Sequence, residues 1–280
     1  MTRDLEVGTH ARHDDPTTGR LTFVGTATVI LELCGLRILT DPNFLHQGQH
    51  APLGYGLRSR RLTDPAFELG EVLPVDLVVL SHHHGDHFDD VAAEGLPDAT
   101  PIISTPHACR KLARQGFTST WPLDRWETQP VRFPGGTLDV TAMPARHAPQ
   151  PLQAMLPPVM GSLLDLRTAA GRHRTYISGD TLLHDDLDEI PQRYPEIDLG
   201  VFHGGGTRIA GVTLTMTGPQ VVEAIGLIDP DHAVPVHRDD YTVFKSGTDD
   251  LVAALAHRPL RTEVHILDHG DSMTFPLRPA

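Results

Sequence analysis

Lysine is nearly missing from this 280-residue sequence: only Lys111 and Lys245 stand among its 23 basic side chains, against 36 acidic ones. The formal charge of −13 at pH 7 argues against a general binder of nucleic acid or anionic membranes, because counterion release needs clustered Lys and Arg. Cysteine is as scarce. Cys34 and Cys109 cannot build a disulfide framework, and they suit a reducing compartment, the cytoplasm, or simple burial. No apolar run approaches the ~20 residues of a membrane-spanning helix. The opening stretch MTRDLEVGTHARHDD lacks the apolar core of a signal peptide or anchor. These shortages set aside the secreted disulfide scaffold, the integral membrane protein and the coiled coil. The length leaves room for a sizeable core.

What the chain has instead is histidine, 18 in all, more than a packed core or a generic surface calls for. Its bias to Arg, beside abundant Ala, Gly and Pro, is the compositional mark of a GC-rich genome. Residues 1–20 are polar and read as a flexible arm, with residues 21–280 as a single domain. Strands are expected at Leu21–Gly25, Thr28–Leu33 and Leu36–Thr40, the last two joined by a Cys34–Gly35 hairpin turn. Residues 43–64 lack periodicity and read as a long loop. From Asp76 onward short apolar strands alternate with helices: strands at Asp76–Ser81, Pro101–Thr105, Thr137–Met143, Val159–Leu166, Arg174–Ser178, Asp198–Phe202 and His232–Val236. Helices are expected near 107–115, 183–193, 218–227 and 249–257, and two strands close the chain. Strands early and β-α units later imply stacked sheets with helices outside.

The chemistry concentrates in SHHHGDH, Ser81 to His87, directly after an apolar strand. Burying several unpaired imidazoles and a carboxylate together costs several kcal/mol per group, so the cluster calls for a cation. Alternation lets His82 and His84 point toward one metal while Asp86 and His87 reach a second. Further ligand types follow later strands: His147 after Thr137–Met143, Asp180 in SGDT after Arg174–Ser178, and His237 after His232–Val236. Taken singly, each has an ordinary reading; a lone His is often a hydrogen-bonded core or surface residue, and Asp180 could cap a helix. Taken together, they complete a two-metal ligand set at the strand ends where loops assemble sites.

The order HxHxDH, H, D, H resembles the metallo-β-lactamase superfamily along nearly the whole chain. GTATVILEL followed by ILTDP is similar to its opening hairpins, with Asp41 as the residue that supports the metal loop. SGDT and PVHRDDYTVF resemble its bacterial branch of ascorbate-phosphate lactonase-like and N-acylphosphatidylethanolamine phospholipase D-like hydrolases. Two places depart from that branch: Thr26 stands where many members have the His of GHAT, and Thr215-Met216-Thr217 where the phospholipase-like members place a His. The resemblance implies an α/β (α+β) fold, the four-layer αββα sandwich of two mixed β-sheets with helices on the outer faces. It implies that His82, His84 and His147 hold one metal, that Asp86, His87 and His237 hold another, and that Asp180 bridges them.

The expected activity is hydrolysis of a small ester, lactone or phosphodiester by a hydroxide bridging two divalent metals. Nitrogen and oxygen ligands without cysteine suit Zn²⁺ and also admit Mn²⁺ or Fe²⁺. Asp86 is both ligand and proton acceptor. His203 and Tyr241 are the candidates for protonating the leaving group, and Arg58, Arg60 and Arg61 for holding an anionic part of the substrate. A small-molecule substrate, no nucleic acid and no integral membrane association are expected. The alternatives are an oxygen-using metalloenzyme of the persulfide dioxygenase type, for which the full second-metal set is superfluous, and a nuclease, which the negative charge disfavours.

Overall fold

The computed structural model describes residues 4–150 and 152–279. Among them one large sheet runs, in spatial order, Leu5–Glu6, Thr128–Phe133, Gly136–Met143, Gly161–Thr168, Arg172–Ile177, Leu199–His203, His232–Val236 and Glu263–Val264. The other runs Ser272–Pro276, Thr18–Gly25, Thr28–Leu33, Leu36–Thr40, Leu77–Val79, Ile102–Ser104 and Thr120–Pro122. Each contains antiparallel hairpins followed by parallel strands.

The strands read as unbroken apolar runs because both faces of each sheet are covered. Ile38, Leu164, Val201 and Val234 turn into the core between the sheets. Their neighbours turn outward. Leu39 joins Ile102, Leu112 and Phe117 beneath the helix Pro106–Arg114, and Leu163 joins Phe202, Val221 and Ile225 beneath the helix Gly218–Ile228. Helix, sheet, sheet, helix: this is the expected αββα sandwich. The Cys34–Gly35 turn forms as expected, with φ of 49° and 92°, the paired positive values of a tight hairpin turn.

Two expectations need correction. The segment before residue 21 is not a loose arm over its described residues. Leu5–Glu6 pairs in parallel with Val131–Arg132. Farther along, the buried carboxylates Asp76 and Glu32 accept hydrogen bonds from the backbone N–H groups of His10 and Arg12. Buried acceptors need donors, and this segment supplies them. The stretch 43–64 likewise contains a hairpin, His50–Gly54 with Leu57–Arg60, whose Pro and Gly content hid its alternation.

The strands Leu36–Thr40 and Leu77–Val79 run parallel in one sheet, and Arg172–Ile177, Leu199–His203 and His232–Val236 in the other. Their C-terminal ends deliver Asp41, the Ser81–His87 loop, Asp180, His203 and His237.

Candidate metal centre

The loop Ser81–His87 is held before any cation is considered. Asp41 Oδ1 accepts the Ser81 N–H at 2.7 Å, and the N–H groups of His87 and Phe88 fold back on the His84 carbonyl. Asp89 caps the following helix through the Ala92 N–H and also accepts from the backbone of Phe44 and Leu45. Gly85 passes against Pro52 so closely that a Cβ would lie 2.8 Å from its backbone N and O. At the next strand end, Gly179 has φ +60°, and a Cβ there would meet the Met160 carbonyl at 2.6 Å. Only glycine turns the chain so tightly into Asp180.

All seven expected ligands converge. His82, His84 and His147 form one group and Asp86, His87, Asp180 and His237 another; in each, one ligand atom per residue lies within 4.8 Å of the rest, and every member is buried. The two groups touch, the His82 and His87 rings having centroids 4.2 Å apart. His83 is turned out of the cluster, with Nε2 3.0 Å from Gln115 Oε1, so the alternation expected of the triple histidine is present. In the second group, His87 Nε2 lies 3.2 Å and His237 Nδ1 3.5 Å from Asp180, while His237 Nε2 lies 3.6 Å from Asp86.

The protonation pattern suits cation binding. Burial, reinforced by neighbouring rings, keeps His82 and His147 below the ordinary histidine value and pushes His84 down to about 3. Burial works to raise Asp86 and Asp180, but His237 and His87 outweigh it and hold both carboxyls low. His87 is the exception: burial lowers it, yet Asp180 and Asp41 together carry it well above the ordinary value. Those carboxylates offer His87 Nε2 a choice between a proton and a cation.

Five buried polar atoms in the cluster have no hydrogen-bond partner: Asp86 Oδ1, His87 Nε2, His147 Nδ1, Asp180 Oδ1 and His237 Nε2. Orphaned lone pairs are costly in a dry site, and divalent cations would satisfy them. The residues therefore fit the expected metals. A surface group on the sheet edge, His232, Glu263 and His265, makes the contrast: its glutamate is exposed to solvent.

The remaining expectations fare differently. His203 is buried, with Nε2 3.3 Å from Asp41 Oδ2 and Nδ1 3.3 Å from Ser178 Oγ. Asp41 also faces His87 Nδ1 at 3.4 Å. His203 thus braces the carboxylate that orients His87. Tyr241 is buried, donates to Asn43 Oδ1 at 3.0 Å, and is pushed by burial well above the ordinary phenol value. Neither lines the cavity above the cluster, so neither is placed to protonate a leaving group. The arginines also disappoint. Arg61 is fully buried, bonded to Asn43 and Thr63 and lying over the Tyr241 ring. Arg58 and Arg60 are exposed on the hairpin strand and line neither cavity near the cluster. Strand alternation separates Arg61 from its two neighbours.

Above the cluster opens a cavity of about 260 Å³, with His84, Asp86, His147 and Asp180 at its base. Its walls come from residues 53–57, 152–156 and 207–214. Thr207, which sequence inspection missed, lines it with a buried Oγ1 that has no partner. No local pattern marks that threonine. A second cavity of about 470 Å³, more polar than the first, shares Tyr55, His84, Met155 and Leu156 with it and is also lined by His83, His107 and Lys111.

The description "Beta-lactamase superfamily domain" matches residues 36–238. A UPF0173 metal-dependent hydrolase from Archaeoglobus fulgidus is 26% identical over 270 residues, covering 91% of this chain and 99% of its own length. Another, from Thermus thermophilus, is 28% identical over 250 residues, covering 89% and 96%. Among solved structures, an isothiocyanate hydrolase from Delia radicum gut bacteria shares the fold with a TM-score of 0.76 at 20% identity, covering 92% of this chain and 99% of that one. Fold, strand-end cluster and family match coincide, and the chain belongs to the beta-lactamase superfamily as a metal-dependent hydrolase.

Proposed function

We propose that the chain hydrolyses a small ester, lactone or phosphodiester, with His82, His84 and His147 holding one divalent cation, Asp86, His87 and His237 a second, and Asp180 shared between them. The observation that carries this reading is the set of five orphaned polar atoms in one buried cluster, three of whose residues, Asp86, His147 and Asp180, stand at the base of the cavity. When bound, two such cations acidify water and offset charge developing on a substrate oxygen. The chain's own residues do the rest. Asp41 takes the Nδ1 side of His87 and leaves Nε2 for the cluster; the Gly204 carbonyl, 3.4 Å from His237 Nδ1, does the same for that ring. Asp86 accepts the proton of the attacking water. With His203 and Tyr241 away from the cavity, Asp86 also returns that proton to the leaving oxygen. Among the described residues no Ser or Cys lines the cavity, which supports water over a covalent nucleophile.

The ligand chemistry favours Zn²⁺, with Mn²⁺ and Fe²⁺ as the competing occupants. The likeness of Ser178–Thr181 and Pro235–Phe244 to a branch of lactonase-like and phospholipase D-like hydrolases supports a substrate range of esters, lactones and phosphodiesters. The two free cysteines suit a cytoplasmic setting. Elemental analysis should find two metal equivalents per chain, and Asp180→Ala should lose both, whereas His147→Ala should chiefly empty the first position. Trace metal in the parent, or activity on lactone, phosphodiester and β-lactam panels that withstands chelation, would sink the proposal.

A further inference from the structure

The cavity above the cluster has walls that metal-dependent hydrolysis by itself does not demand. Leu53 and Leu57 come from one hairpin, Leu156 from the segment after the 3₁₀ turn Leu152–Met155, and Ile209 and Leu214 from around a second hairpin, Arg208–Ile209 with Val212–Thr213. Among the described residues no Arg or Lys lines it, and away from the cluster only Tyr55 and Thr207 bring polar side-chain atoms. Four of the seven exposed large apolar side chains among the described residues, Tyr55, Leu57, Leu152 and Met155, stand along it. Apolar surface left open to water at such a density marks a binding place. Its base is the metal cluster, which makes the occupant a molecule with its reactive bond at one end.

We infer that this cavity, of about 260 Å³, receives an uncharged alkyl or aryl group of the substrate. The assignment rests on the hydrolase reading for the reactive end and on the three apolar walls for the other. An anionic substituent would enter without a cationic partner, inside a chain of charge −13, and would have to shed its water there. Thr207 Oγ1, buried and unpartnered in the lining of the same cavity as Asp86 and Asp180, supplies an uncharged donor to an ester or lactone oxygen. The substrate is thereby a neutral, apolar ester or lactone.

The test uses 4-nitrophenyl acetate, butyrate and hexanoate with the metal-loaded protein, together with mono-4-nitrophenyl succinate as an anionic counterpart of the butyrate. Activity expressed as kcat/KM should rise about fourfold per added methylene, and the succinate should fall at least tenfold below the butyrate. Leu57→Asp and Met155→Asp, both at exposed positions that tolerate charge in the fold, should flatten the chain-length series. Binding is read separately from the fluorescence of neutral N-phenyl-1-naphthylamine, displaced by hexanamide. Saturable, displaceable fluorescence that weakens at least fivefold in Leu57→Asp supports the assignment even where no ester is turned over; in that case only the hydrolase reading fails. A flat chain-length series, a preference for the succinate, or equal probe binding in parent and both variants would overturn the assignment and leave hydrolysis standing.

Discussion

A hydroxyl buried without a partner, as in Thr207, is a small debt in the free protein. The nearly isosteric change Thr207→Val removes it, so thermal or denaturant unfolding should show unchanged or slightly raised stability, by about 1 kcal/mol. Turnover should fall roughly tenfold, the value of one hydrogen bond to a reacting group. A loss of stability together with activity would mean that the hydroxyl serves the fold instead. His173 makes a different prediction at the same scale. It is buried against Phe275, ring centroids 4.5 Å apart, and burial, aided by Arg278, pushes it down to about 3 from 6.5. Between those values the unfolded chain binds a proton that the folded chain refuses, so stability falls as the pH drops below 6.5. The slope is up to ~1.4 kcal/mol per pH unit for this one group. Denaturant unfolding at pH 7 and pH 5 should show the parent losing about 2 kcal/mol more than His173→Gln. Equal losses would assign the acid sensitivity to other groups.

Among the elements, the contact of Gly85 with Pro52 joins the metal loop to the hairpin that walls the cavity. Gly85→Ala must push one of them away. A cost of about 1–3 kcal/mol is expected, with a loss of activity larger than the loss of folded protein, measured by comparing melts with kcat/KM. How far such elements could be read from sequence depended on whether their residues advertised the period. Thr28–Leu33, Leu36–Thr40 and His232–Val236 form between the residues expected, because burial on both faces fills them with apolar side chains. The hairpin His50–Arg60 alternates in burial, but Pro52, Gly54, Gly56 and two arginines mask the pattern. The seven cluster residues were legible because each is a ligand type at a strand's end. The cavity walls were not: leucines that wait for a substrate look like leucines of a core. The arginine expectation failed for a related reason, since adjacency in sequence put Arg60 and Arg61 on opposite sides of a strand.

At the scale of the whole molecule, the cluster is where the two sheets meet. One sheet supplies the Ser81–His87 loop and Asp41, the other His147, Asp180 and His237. Bound cations would therefore stitch the sandwich together along one edge, and metal that binds only the folded chain stabilises it by mass action. Chelation should lower the melting temperature of the metal-loaded protein by on the order of 5–10 °C, and Asp180→Ala should melt alike with and without chelator. An unchanged melt in the parent would show the sheets to be self-sufficient there. One further consequence comes from Tyr55, which borders both the apolar cavity and the more polar one and whose hydroxyl donates to the Met155 carbonyl. Tyr55 and its clasp thus stand, with His84, Met155 and Leu156, between two chambers. Its backbone has φ +51°, a conformation that glycine adopts freely. Tyr55→Gly should fold as well as the parent and merge the chambers, so that branched or bicyclic esters too wide for the parent become substrates. The breadth of what this protein accepts would then be set by a removable door post, open to adjustment without touching the metal cluster.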